Sequence, residues 1–162
     1  MSTSASRLIE SRSEFQEALR QAFADIASAG SREIWMCDED FSDWPLNDAQ
    51  VIDHLSRWAM AHRSCTILAL NFDAVQRHHP RWVQWRRERS HVVRCRTPDD
   101  ADRLNLPCVL LAPGTVALRL VDRVLYRGSV STHFADAARD RERLDALMQR
   151  SVDAFPANTL GL

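Results

Sequence analysis

Glu33-Ile-Trp-Met-Cys37 runs directly into Asp38-Glu-Asp-Phe-Ser-Asp43: an apolar run, then four carboxylates in six positions. A short apolar run closed by polar residues reads as a buried strand that ends in a loop. Upstream, Phe15, Leu19, Phe23 and Ile26 recur at helical spacing between a possible N-cap at Ser13 and a stop at Gly30. Downstream, Trp44-Pro45-Leu46 breaks the chain, and Asn47 or Asp48 can cap a helix carrying Val51, Ile52, Leu55 and Trp58. A second strand follows at Cys65 to Leu70 and a third at His91 to Arg96. The helix between them either kinks at Pro80 or begins there. Strands at Cys108 to Ala112 and Val116 to Val121, a turn at Asp122-Arg123 and a return through Val124 to Tyr126 form a hairpin-like unit. An amphipathic helix over 137–152 closes the chain, with Leu144, Leu147 and Met148 inside.

Strands that alternate with helices imply crossover connections. The expected fold is a single three-layer α/β domain over residues 13–156, with a mostly parallel sheet and a C-terminal antiparallel hairpin. Residues 1–12 are expected to be a flexible N-terminus and 157–162 a tail. The chain has 162 residues, 45% hydrophobic and 27% charged, which is enough for one domain with a substantial core. That composition excludes disorder, and no stretch approaches the 18 or so apolar residues of a membrane span. With no secretory leader, a cytoplasmic location is expected. Cys37, Cys65, Cys95 and Cys108 form no CxxC pair, so they read as small core residues and not as zinc ligands. No cofactor is expected.

All 21 basic residues are Arg, which excludes every reaction that needs a Lys. The net charge of −1 conceals a segregation. Residues 1–60 sum to −6, residues 61–98 to +6 and residues 99–162 to −1. In the basic segment Trp82 and Trp85 interleave with Arg77, Arg81, Arg86, Arg87 and Arg89. Arg forks that grip phosphates beside aromatics that stack on bases make a nucleic-acid contact through Arg81, Arg86 and Arg87 one reading. The other packs the tryptophans on the sheet and pairs the arginines with the acidic segment. The acidic loop likewise divides between an oxygen-ligand site for Mg²⁺ or Ca²⁺ and a solvated, helix-capping loop. His78 and His79 are adjacent and, on a helix, point about 100° apart, so they do not share one site. His133 lies four residues after Ser129, and a couple with Asp122 would be hydrolytic, but no GxSxG surrounds the Ser.

Arg119-Leu-Val-Asp-Arg-Val-Leu-Tyr-Arg-Gly-Ser129 resembles one half of a phospholipase D-like protein. Each half in that superfamily carries His-x-Lys, four residues, Asp, about six residues, then Gly-Ser and often an Asn two positions on. Here Asp122, Gly128-Ser129 and Ser131 occupy such positions. Thr115 falls where the nucleophilic His belongs and Ala117 where the Lys belongs; a shift of one residue offers Gly114 and Val116 instead. A closer resemblance is to an uncharacterised proteobacterial domain family with a degenerate half of this kind, found alone or appended to acetyltransferase domains. It is carried by Ile34 to Leu46, by Arg77-His-His-Pro-Arg81 with Arg94 and Arg96, by the Leu110 to Arg127 hairpin, and by Gln149-Arg-Ser151 to Phe155.

The resemblance implies a phospholipase D-like half-fold without phosphohistidine chemistry, which needs both the His and the Lys. The expected function is a non-catalytic binding or regulatory module, with a homodimer or an acetyltransferase-type protein as partner and no membrane. Ligands of open α/β sheets bind beyond the strand ends. Asp38, Asp40, Arg94, Arg96, Asp122 and Ser129 are therefore the expected ligand-binding set, with a phosphate-bearing ligand in view. The alternative is a hydrolase or transferase of a phosphate-bearing substrate that uses Asp122, Ser129 or His133.

Overall fold

A computed structural model describes residues 6–60, 62–132 and 134–155. Eight strands form one sheet in the order β1-β7-β6-β5-β2-β3-β4-β8. They are β1 Ser6–Ile9, β2 Glu33–Cys37, β3 Ser64–Leu68, β4 Val93–Pro98, β5 Cys108–Ala112, β6 Val116–Asp122, β7 Arg127–Ser131 and β8 Ser151–Asp153. The helices are α1 Arg12–Ala29, α2 Ala49–Trp58, α3 Asp73–His78, α4 Pro80–Glu88 and α5 Phe134–Gln149.

The sheet is mixed, not mostly parallel. Among the described residues only β2–β3 and β3–β4 pair in parallel, through the α2 and α3–α4 crossovers. The other five pairings among the described residues are antiparallel. Parallel pairing needs a long crossover, whereas β5, β6 and β7 follow one another through short turns and can only reverse. Two of the antiparallel partners were hidden in the sequence. β1 lies in the segment expected to be flexible, yet it pairs with β7 from Ser6↔Ser131 to Ile9↔Gly128. β8 pairs with β4 beyond a helix that ends at Gln149 and not at residue 152. Both are three- or four-residue edge strands, too short to show alternation, and their backbone groups are satisfied only by a distant neighbour.

Strand alternation divides the core. β2 turns Ile34 and Met36 toward α1, α2, α3 and α4, where they meet Phe15, Phe23, Trp44, Leu55, Trp82 and Trp85. Its alternate residues Trp35 and Cys37 face α5, against Leu144 and Leu147. The sheet therefore has helices on both faces, as three layers require. α1 begins at Arg12 because Ser11 is its N-cap, with Oγ accepting from the Glu14 amide. α2 is capped by Asp48, whose Oδ1 accepts from Gln50 N. Pro80 opens α4, where its missing N–H costs nothing.

The β6–β7 turn differs from its expected course. Val124 and Leu125 do not begin the return strand: they sit exposed in the turn, and β7 starts at Arg127. Asp122 Oδ1 accepts from both Val124 N and Leu125 N at 2.9 Å, and Tyr126 takes φ +54°. That carboxylate-stapled turn overrides the strand preference of the apolar triplet. Gly128 follows, opposite an irregular register at Leu120 and Asp122. A Cβ there would lie 2.0 Å from the Arg119 carbonyl oxygen, so the strands close only on glycine.

Candidate functional site

A cleft of about 150 Å³ opens beyond the C-terminal end of β2. The acidic loop, Trp44, Phe15, Cys108, Leu120 and Arg123 line it. Asp38 is the buried anchor of the loop, with its side chain only 10% exposed. Its Oδ2 accepts from Phe41 N at 2.8 Å, and Arg123 Nε donates to its Oδ1 at 3.3 Å. Arg123 also donates to Glu39 and to the Leu106 carbonyl, so one guanidinium ties the β2 end, the entry to β5 and the β6–β7 turn together. Asp43 accepts from Arg12 and from the Tyr126 hydroxyl, whose pKa the carboxylate raises. Phe41, fully buried, is held at φ +60°, a conformation unfavourable for a bulky side chain. Its carbonyl accepts from Nε2–H of His79, which is buried and whose pKa burial lowers. The histidine pair is thus divided: His79 braces the acidic loop and His78 is exposed.

The loop carboxylates are committed to arginines, hydroxyls and backbone amides, and Asp40 Oδ1 accepts from Ser42 N. Among the described residues no three His, Cys, Asp or Glu side chains are grouped to hold a metal. Cys37 and Cys108 adjoin this region as buried thiols whose pKa values are raised by burial first and by Asp38 next. All four cysteines are buried and free, as small core residues.

The expected ligand set does not converge. Asp38 and Asp40 line the cleft. Asp122 turns its carboxylate into the β6–β7 turn, and Ser129 sits within β7, paired with Arg119 and Leu8. Arg94 and Arg96 lie on β4, two strands away from β2. Arg96 is consumed as a strand clamp: Nε donates to Ser151 Oγ at 2.6 Å, Nη2 to the Ser151 carbonyl and Nη1 to Asp153. The sequence placed these residues near one edge because each ends or follows a strand; sheet order, unreadable from a single chain, separates them. Arg123, the residue that organises the cleft, reads in the sequence as an ordinary turn residue. Its only sequence signal is its place directly after Asp122.

The phospholipase D-like motif positions lie elsewhere. Thr115 precedes β6 at the opposite end of that strand from Asp122, and its hydroxyl is 2.6 Å from that of Ser31. Ala117, on β6 opposite Ser131, is 2% exposed and packs in the core beneath α5. Beside it Arg119 pairs with Asp140 of α5 at 3.2 Å. His133 lies outside the described residues.

The Arg-rich segment divides as well. Trp82 and Trp85 are core residues, as their helical spacing suggests. Arg81 and Arg87 are exposed, but Arg86 is 6% exposed and faces inward, so it belongs to no surface contact. Nor does this segment neutralise the acidic third. Among the described residues the ion pairs to that third come from Arg12, Arg20, Arg57, Arg123, Arg127 and Arg141.

Comparison with solved structures identifies the fold. Nuc from Salmonella typhimurium, a phospholipase D family member, superposes with a TM-score of 0.62 at 11% identity, covering 94% of this chain and 99% of its own. NucT from Helicobacter pylori gives 0.60 at 8% identity, over 94% of this chain and all of the other. TrmBL2, described as an archaeal chromatin protein with a novel mode of DNA binding, gives 0.62 at 13% identity over 92% of this chain. The present chain covers 54% of the TrmBL2 chain. These likenesses establish a phospholipase D-like α/β fold. No curated protein matches the sequence at a significant level. A family model matches residues 15–155, and the chain belongs to that family, described as a domain of unknown function, DUF7931.

Proposed function

We propose that this chain is a non-catalytic phospholipase D-like half-domain that serves as a binding or regulatory module. The observation that carries the reading is Ala117. In the register that sets Asp122 on the motif Asp, the Lys position holds the methyl group of Ala117, 2% exposed in the α5 core, and Thr115 falls at the His position; the register shifted by one offers Val116, 5% exposed, and Gly114. A chain without Lys has no ammonium to stabilise a transferring phosphoryl group, and a homodimer would only repeat the lack. Asp122, the retained motif residue, has a turn-stapling role that accounts for it without catalysis. Asp38 and Asp40 are the proposed ligand-facing residues of the cleft at the β2 end. A cytoplasmic setting fits four free thiols, and a homodimer or an acetyltransferase-type partner remains part of the proposal. Hydrolysis of bis-p-nitrophenyl phosphate tests it: the full chain is expected to show no turnover above buffer. Turnover that disappears in Asp122→Asn would establish the hydrolase alternative.

A second reading, nucleic-acid contact, draws on Arg81 and Arg87 on the exposed side of α4 and on the fold shared with the DNA-binding TrmBL2. Arg81 is partly committed, donating to Asn47 through its backbone N–H and its guanidinium. Filter binding of duplex DNA across salt concentrations decides it: phosphate contacts require affinity to fall steeply with salt and to weaken in Arg87→Ala.

A further inference from the structure

Val121, Val124 and Leu125 are 84%, 85% and 58% exposed. They are three of the seven large hydrophobic side chains that face solvent among the described residues, and all three lie on the β6–β7 turn. Single exposed aliphatics are ordinary, but several on one short segment make an apolar patch of the kind that marks an interaction surface. Val121 stands on the sheet face that α5 covers at Ala117, yet beyond the reach of that helix. Val124 and Leu125 are held outward by the bonds around them. Asp122 Oδ1 accepts from both of their amides, Arg123 is fastened to Asp38 and to the Leu106 carbonyl, and the Tyr126 hydroxyl donates to Asp43 at 2.9 Å. The side chains on either side of the pair are thus tied to the protein, and a turn so fastened does not fold its apolar residues back onto the core. The described chain begins at Ser6, opposite Ser131 at the other end of β7, and closes with Phe155 on Phe72, which follows β3, three strands from β6. Neither end of it adjoins the turn.

The surroundings select what can cover the patch. The four carboxylates of the acidic loop, with Asp122 and Glu10, stand against three guanidiniums, those of Arg12, Arg123 and Arg127. Six against three leaves an excess of three negative charges around the apolar side chains. Such a field repels nucleic-acid phosphates and anionic lipid headgroups. Two copies of the turn would oppose like charges. The basic stretch of a second copy offers Arg77, Arg81 and Arg87, but among the described residues it exposes no large apolar side chain beside them.

We infer that this turn docks a partner protein through a segment that combines aliphatic side chains with Lys or Arg. The aliphatic groups pack on Val121, Val124 and Leu125, and the cations lie along the acidic loop. The apolar side chains make the surface, and the acidity chooses its occupant. A turn already fixed in place gives up little conformational freedom on docking, and an apolar centre within a charged rim is the usual anatomy of a protein interface. This docking role rests on the reading of the chain as a binding module and names the chemistry of its partner.

Fluorescence anisotropy of a short labelled peptide of Leu and Lys, patterned as an amphipathic helix, tests it on the full chain. Two control peptides accompany it, one with Glu in place of Lys and one with Gln in place of Leu. The Leu–Lys peptide is expected to bind saturably, and each control at least about tenfold more weakly. Val124→Ser combined with Leu125→Ser should weaken the Leu–Lys peptide at least about tenfold while leaving the urea midpoint unchanged. Met60→Ser, at an exposed apolar site elsewhere, should leave the affinity intact. If the turn variant does not fold, Val121→Ser, outside the Asp122 staple, carries the test. Absence of saturable binding, equal affinity for the Glu peptide, or affinity unchanged in the turn variant would each overturn the assignment. So would cosedimentation with phosphatidylcholine–phosphatidylglycerol vesicles, or a dimer in sedimentation velocity, that the turn variant abolishes, since either gives the patch another occupant. Phosphodiester turnover would refute the non-catalytic reading and leave this surface standing, whereas failed peptide binding removes the surface without restoring catalysis.

Discussion

Arg123→Met isolates the contact that shapes the acidic cleft. The substitution keeps much of the aliphatic stem and removes the cation that faces Asp38 and Glu39. Asp38 then remains 10% exposed, with the Phe41 amide at 2.8 Å but no counter-charge. Breaking a fully buried pair typically costs about 3–5 kcal/mol. Here the Arg123 side chain is 34% exposed, so water screens part of the interaction and about 2 kcal/mol is expected. For a chain of this length that lowers the melting temperature by roughly 4–8 °C. Asp38→Asn should cost less, about 1 kcal/mol. The amide oxygen still accepts from Phe41, and the half-exposed Arg123 keeps Glu39 and the Leu106 carbonyl. The double variant should therefore lose about 2 kcal/mol in total, less than the separate losses added together. Urea unfolding monitored by tryptophan fluorescence reads all four proteins, and Trp44 in the cleft wall gives a local signal. A single Arg123→Met loss below about 0.5 kcal/mol, or strictly additive losses, would show that the pair does not organise the cleft.

Two further substitutions probe the supports around the site. Gly128→Ala forces a Cβ to within 2.0 Å of the Arg119 oxygen and 2.8 Å of Leu120 Cα, both backbone atoms. A loss of about 3 kcal/mol or more is expected, against under about 0.5 for Ser129→Ala, and equal losses in urea would refute the steric argument. His79 is buried with a lowered pKa, so the unfolded chain binds a proton more readily than the folded one. Its contribution is present above the unfolded value of about 6.5 and is lost as pH falls toward the folded pKa. Stability measured from pH 7.5 to 5 should decline in the wild type and decline less in His79→Gln; parallel profiles would remove His79 from the account.

The apolar periodicities of Phe15 to Ile26 and Val51 to Trp58, and the apolar runs Ile34 to Cys37 of β2 and Cys108 to Ala112 of β5, were sufficient for α1, α2 and the central strands. Such patterns reflect burial on one helix face or both sheet faces, and burial dominates the local choice. The absence of Lys, too, is a fact of composition that no folding can alter, and it bears directly on the chemistry of this fold. Tertiary structure decided what depends on neighbours distant in sequence. β1 and β8 are strands because β7 and β4 offer unpaired edges. The sheet is mixed because β5 inserts antiparallel beside β2, through the Trp35↔Leu111 and Cys37↔Val109 pairs. The same long-range order scattered the six expected ligand residues. It also turned Arg86, one arginine among eight in the basic segment, inward. A sequence records that a charge is present, whereas its burial is a property of packing. A buried guanidinium becomes visible only when the chain around it has folded.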